Sequence, residues 1–234
     1  MVSAKNEKRS EELLPPPVIP GELNSEGLIS VDDARSGFLF KCKVNEAYKG
    51  DVLRVLLDDS RAPIFSIRIQ DDMDDDSPPF EFTFPAVLAR EGTYRLRQEL
   101  MMSGEQPIIS EAKQFIIDFT PHDEPARPLL LANLPDGKVT SDYLDEHGGV
   151  KFSFEDPEGW KPGDTNRLYW CDEFTNFPPF LERVPLEEKG NTYLLKADDI
   201  SRSGPGIFYF WNELQDLAGN ISRASPPIRL QVDL

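Results

Sequence analysis

Gly37-Phe38-Leu39-Phe40-Lys41-Cys42 and, later in the chain, Gly149-Val150-Lys151-Phe152-Ser153-Phe154 are two versions of one element. In each, a glycine opens a run whose apolar side chains fall on alternate residues: Phe38, Phe40 and Cys42 in the first, Val150, Phe152 and Phe154 in the second. A period of two sends successive side chains to opposite faces of an extended chain, so both runs read as strands with one apolar face.

The echo extends outward in both directions. Pro15-Pro16-Pro17-Val18-Ile19 is matched by Ala126-Arg127-Pro128-Leu129-Leu130. Tyr48-Lys49-Gly50-Asp51 is matched by Trp160-Lys161-Pro162-Gly163-Asp164, and Arg54 by Arg167. Gly92-Thr93-Tyr94-Arg95-Leu96 is matched by Gly206-Ile207-Phe208-Tyr209-Phe210, with Glu99 opposite Glu213. Apolar runs close both units, Phe115-Ile116-Ile117-Asp118 and Ile228-Arg229-Leu230-Gln231-Val232. The matches keep their order and a separation of about 110–115 positions, the size of an ordinary domain. The sequence therefore predicts a flexible arm over residues 1–14, one unit over 15–120 and a second over 121–234.

Strands dominate each unit. Phe80-Glu81-Phe82-Thr83-Phe84 alternates ring and polar residue, and Tyr94, Leu96 and Gln98 oppose Thr93, Arg95 and Arg97. Between the runs stand turn-formers such as Lys49-Gly50-Asp51, Asp76-Ser77-Pro78-Pro79 and Ala218-Gly219-Asn220. Helical spacing is not apparent in any 11-residue window. About seven short strands per unit, each with one wet face, predicts an all-β protein of two tandem immunoglobulin-like β-sandwiches.

The stretch Phe208-Tyr209-Phe210-Trp211-Asn212-Glu213-Leu214-Gln215-Asp216-Leu217-Ala218-Gly219-Asn220-Ile221-Ser222 adds finer detail. An aromatic strand followed by Asp-x-Ala-Gly-Asn-x-Ser resembles the last hairpin of the bacterial immunoglobulin-like (Big-type) repeats of large modular surface and adhesin-like proteins. Gly219-Asn220 suits the left-handed backbone of a tight hairpin, and Asp216 can accept from nearby backbone N–H groups. The first unit's counterpart, Glu99 to Pro107, keeps only Ser103-Gly104 and joins the resemblance through the internal repeat.

Chemistry is sparse. Lys and Arg number 25 against 42 Asp and Glu, a net charge of −17. Such a surface repels phosphate backbones and anionic lipid heads, which excludes nucleic-acid and peripheral membrane binding. The N-terminal residues lack a signal-peptide h-region, and no stretch has the apolar length of a transmembrane helix. Cys42 and Cys171 sit in separate units outside any CxxC pair and read as buried free thiols. His122 and His147 read as junction and loop residues, and no nucleophile, base and orienter assemble, so the chain is expected to be no enzyme and to need no cofactor. The acidic run Asp71-Asp72-Met73-Asp74-Asp75-Asp76 lacks calcium-loop spacing and reads as a solvated loop, and the group Asp118, Asp123 and Glu124 reads as linker charge; calcium binding is the alternative at each, and no metal site is assigned.

Aromatic residues crowd the second unit: Trp160, Tyr169, Trp170, Tyr209, Trp211 and Phe177-Pro178-Pro179-Phe180. Phe208 and Phe210 claim one face of their strand, which sends Tyr209 and Trp211 to the other. Tyr209, Trp211, Trp170 and Tyr169 are the candidate partner-binding residues. The resemblance and the absence of catalytic motifs imply a structural or interaction module, a spacer or binding segment of a larger bacterial surface or secreted protein. Its partner would be a protein or neighbouring immunoglobulin-like repeats. The alternatives are an intracellular or effector-associated protein-binding module and, on the aromatics alone, a carbohydrate-binding module.

Overall fold

The computed structural model describes residues 14–121, 125–131, 134, 137–155, 158–172, 180–187 and 190–234. The chain divides into two compact units, Met1–Asp118 and Phe119–Leu234.

In the first unit the elements run β1 (Leu28–Ile29), α1 (Val31–Ser36), β2 (Leu39–Cys42), β3 (Val52–Leu57), β4 (Pro63–Arg68), β5 (Phe80–Thr83), β6 (Gly92–Met101), β7 (Ile108–Ile109) and β8 (Lys113–Ile117). One sheet has the order β1-β8-β6-β3-β4, with β7 also on β6, and β2 and β5 form the other. In the second unit the elements are β9 (Leu129–Leu131), β10 (Lys138–Thr140), α2 (Ser141–His147), β11 (Gly149–Phe154), β12 (Thr165–Cys171), β13 (Phe180–Pro185), β14 (Thr192–Lys196), α3 (Ala197–Ser203), β15 (Gly206–Gln215) and β16 (Ile228–Asp233). Here the sheets are β10-β16-β15-β12-β13 and β14-β11-β9. The larger sheet is the same object twice. Each opens with a short strand parallel to the last one, Leu28 against Ile116 in the first unit and Lys138 against Gln231 in the second, and all other neighbours are antiparallel.

Each core lies between its two sheets. In the first, Phe38 stacks on Phe84 at 4.8 Å and meets Phe115 edge-on at 5.3 Å. In the second, Phe152 of β11 stacks on Phe210 of β15 with ring centroids 4.0 Å apart, among Leu168, Trp170, Leu195, Phe208 and Leu230. The alternation read from the sequence puts these rings inside: Phe40, Cys42, Val150 and Phe152 are fully buried. The glycines that open β11 and precede β2 have a steric reason. A Cβ on Gly149 would stand 2.2 Å from the Leu195 carbonyl oxygen, and one on Gly37 would stand 2.8 Å from that of Phe84, both at positive φ. The protein is all-β, built of two immunoglobulin-like sandwiches.

The short helices depart from the expectation of unbroken strand and loop. Ser30 and Thr140 cap α1 and α2, accepting from Asp33 N at 3.0 Å and Tyr143 N at 3.2 Å. His147, expected in a loop, closes the last turn of α2 instead. Its ring stacks on Tyr143 at 4.3 Å, with Nδ1 at 3.1 Å from the Tyr143 carbonyl. Leu14, the last residue of the expected arm, is buried. Residues 1–13, with His122, Asp123, Glu124, Phe177, Pro178 and Pro179, lie outside the described residues.

Candidate interaction face

The register of the second unit's larger sheet fixes which side chains share its outer face. On β12 and β15, Arg167 opposes Glu213, Tyr169 opposes Trp211 and Cys171 opposes Tyr209, while Trp170 opposes Phe210 on the core side. Phe180 of the edge strand β13 lies across from Tyr169, beyond an irregularity between Leu168 and Tyr169. A row of three rings results. Tyr169 stacks on Trp211 at 5.4 Å and meets Phe180 edge-on at 5.9 Å. The Arg167 guanidinium lies 5.9 Å from the centroids of both Tyr169 and Phe180. It also pairs with Glu213 at 3.6 Å, and Glu213 accepts the Tyr169 hydroxyl at 2.7 Å.

The four candidate aromatics do not form one open patch. Trp170 belongs to the core: it stacks on Phe208 at 4.8 Å and donates its Nε1 hydrogen to Ser203 Oγ at 3.0 Å. The reason is the pleat, since Trp170 follows Tyr169 and must face the opposite way. Tyr169 and Trp211 do lie on the outer face but are only 4% and 1% exposed, packed with Cys171, Tyr209 and Ala224. The wet outer face expected of each sheet is therefore dry along this row. Tyr209 is half-buried, and Phe180, 50% exposed, is the ring that meets solvent most fully. The sequence reading missed the part played by Arg167 and Glu213. Their signal was the repeat itself, because Arg54 and Glu99 form the same cross-strand pair at 3.0 Å in the first unit.

The two copies differ in what surrounds that shared ion pair. In register, Leu56, Arg97 and Pro63 occupy the places of Tyr169, Trp211 and Phe180. Arg97 there pairs with Asp59 at 3.5 Å and donates to the Asp58 carbonyl. The first copy thus carries aliphatic and charged groups where the second carries aromatic ones.

The Asp-x-Ala-Gly-Asn stretch follows β15. Asp216 Oδ1 accepts from Gly219 N at 2.8 Å and Asn220 N at 2.9 Å, and Oδ2 accepts from Asn220 Nδ2 at 2.9 Å. Of the two turn residues only Gly219 takes a positive φ, of 100°. Ser222 and Ser225 then continue the pairing along β15 through their hydroxyls, which accept from Leu214 N at 2.9 Å and Asn212 N at 3.1 Å. In the acidic run, Asp74 Oδ1 accepts from Ser77 Oγ and the backbone of Asp76 and Ser77, which holds its carboxyl below the usual range. Among the described residues no three acidic, His or Cys side chains converge as a metal site. Both cysteines are buried and unbridged, and burial pushes the Cys42 thiol up to about 12. No helix among the described residues is long and apolar enough to cross a membrane.

Tyr169 gives the face a pH signature. Burial, then the hydrogen bond and charge of Glu213, push its phenol from 10.0 up to about 12, against the opposing pull of Arg167 and Arg183. A raised folded value means that the protonated phenol is favoured by folding. The stability it contributes is fully present below pH 10 and is lost as pH rises through about 12. In alkaline unfolding curves Tyr169→Phe should retain more of its neutral-pH stability than the wild type over that window. Superimposable pH profiles would contradict the assignment.

No protein-family profile matches the chain, and no curated protein matches it in sequence. Among solved structures it is similar to a 1.5-MDa bacterial ice-binding adhesin, at 13% identity and TM-score 0.45, over 95% of this chain and 66% of that one. It is also similar to fibronectin(III)-like modules of Clostridium thermocellum CbhA, at 13% identity and TM-score 0.40, over 93% of each chain. A third is the chicken CNTN1 FN1-FN3 structure, at 10% identity and TM-score 0.44, over 95% of this chain and 65% of that one. The chain thus spans about two thirds of the adhesin and CNTN1 structures. These neighbours include a bacterial adhesin and fibronectin(III)-like modules, and each is a likeness of fold at low identity.

Proposed function

We propose that this protein is a non-enzymatic structural and interaction module: two tandem immunoglobulin-like domains, residues 15–120 and 121–234, that act as a spacer and binding segment of a larger bacterial surface or secreted protein. The first domain serves as spacer and the second carries the contact face for a protein partner. The observation that supports this division most strongly is the difference between the copies. The same sheet and the same arginine–glutamate pair occur twice, but only the second copy adds Tyr169, Trp211, Tyr209 and Phe180 to the outer face. In this reading Tyr169 and Trp211 form the rigid floor and Phe180, Tyr209 and Arg167 make the contact. An exposed ring beside a stacked guanidinium on an edge strand suits a protein surface. Carbohydrate binding finds less support, because the nearly closed rings of Tyr169 and Trp211 offer no open face for a sugar.

The test places a photo-crosslinking phenylalanine analogue at Phe180 and, separately, at the equivalent Pro63 of the first domain, in the full-length native protein in its source cells. The expected result is a defined protein adduct on the extracellular side from position 180 and none from position 63. Equal adducts from both positions, or none from either, would contradict the division of labour.

A further inference from the structure

Within the second unit, the core faces of β12 and β15 carry two amides among apolar side chains. Asn166 and Asn212 are 1% and 2% exposed. Asn212 Nδ2 donates to Asn166 Oδ1 at 2.8 Å, which leaves Asn166 Nδ2 and Asn212 Oδ1 without a hydrogen-bond partner. Exchanging oxygen and nitrogen in both amides only changes which atoms are left over: one donor and one acceptor remain. Native interiors seldom keep such atoms unsatisfied. Both amides line a small cavity, together with Arg127, Phe154, Glu155, Leu186 and Leu214, that has room for about one water molecule. Its position is a seam. On one side lies the main core around Phe152 and Phe210, on the other the cluster of Ala126, Leu186 and Leu214 with Trp160.

The first unit fills the same place differently. Asn212 corresponds to Gln98, since each donates its backbone N–H to a serine hydroxyl (Ser225 and Ser110) and accepts that serine's backbone N–H at its own carbonyl. Gln98 is fully buried, and its Nε2 donates to the Pro15 carbonyl and, at 2.8 Å, to that of Lys43, tying the two sheets together. Asn166 corresponds to Leu53, which presents no polar atom. Asparagine is one methylene shorter than glutamine and stops short of the opposite sheet.

We infer that the second sandwich holds one buried structural water between its sheets, bound by Asn166 and Asn212 in the place that the end of the Gln98 side chain fills in the first. The water accepts from one amide and donates to the other. Glu155, the counterpart of Lys43 in the repeat, also lines the cavity. Water supplies the donor and the acceptor that the two leftover atoms require, and a single molecule matches the space.

The experiment is a high-resolution crystal structure of the full chain, paired with water-to-amide nuclear Overhauser measurements in solution, for the wild type and Asn212→Gln. The wild type should show ordered density within hydrogen-bond distance of both amides and a long-lived water contact to the side-chain amide of Asn166 or Asn212. In Asn212→Gln the added methylene should displace the water, abolish that contact and raise the melting temperature by a few degrees. An empty cavity, density better explained by a metal ion, or amides repartnered to protein groups in the wild type would overturn the proposal. So would a water that persists in Asn212→Gln. Should the variant fail to fold, the wild-type density and water contact decide alone.

Discussion

Phe152→Ala should destabilise the second unit by about 3–5 kcal/mol, the range measured when a large aromatic side chain is removed from a packed core. Phe152 is fully buried and stacks on Phe210 across the sandwich, so its loss removes the closest ring contact between the two sheets. The neighbours Leu168 and Leu230 sit on strands paired on both sides, and Leu195 on an edge strand paired with β11, so they can collapse only in part into the space. For a domain of this size the shift in melting temperature is on the order of 15 °C. The sequence provides a selective reporter, because all three tryptophans, Trp160, Trp170 and Trp211, belong to the second unit. Tryptophan fluorescence should therefore show the full shift. A shift of only a few degrees would mean that Phe152 does not bridge the sheets.

Asp216→Ala should rank next, at about 2–4 kcal/mol. The carboxylate accepts from two backbone N–H groups and the Asn220 amide, and Asp216 and Asn220 are both buried. Alanine leaves those donors without that acceptor in a site closed to water, where each unsatisfied group costs about 1–3 kcal/mol less whatever relaxation recovers. Asp216→Asn keeps one oxygen and should recover part of the loss. Chemical denaturation followed by tryptophan fluorescence distinguishes these outcomes. Equal stability of Asp216→Ala and the wild type would remove the structural reason for the Asp-x-Ala-Gly-Asn motif.

Much of this fold could be read from residue types because the rule involved is local. Alternation along Phe38–Cys42 and Val150–Phe154 needs only the pleat to place Phe40 and Phe152 inside, and the repeat supplies the second sandwich once the first is drawn. The helices escaped for a reason of scale. Val31–Ser36 and Ser141–His147 are 6 and 7 residues long, shorter than the window that reveals helical periodicity, although Ser30 and Thr140 stand at their N-termini as capping residues should. The outer face of the second unit was legible only in part. Period two places Tyr169 and Trp211 away from Phe210, but whether that face is wet depends on what packs over it. In β12 the run from Leu168 to Cys171 is buried on both faces. Alternation in polarity therefore underestimates burial wherever aromatic neighbours such as Tyr209 close over a row. Period two sets Asn212 on the face of Phe208 and Phe210, but its burial against Asn166 was not legible, since only the strand register brings the two amides together inside.

The same sandwich occurs twice in this chain, with its opening strand parallel to its closing strand in each copy. Amide–amide and amide–Hα Overhauser contacts across the ladder test this most directly. Parallel-register contacts are expected between Leu28–Ile29 and Ile116–Ile117, and again between Lys138–Thr140 and Gln231–Asp233. Antiparallel contacts at either place, or the pattern in one unit and not the other, would contradict the duplication.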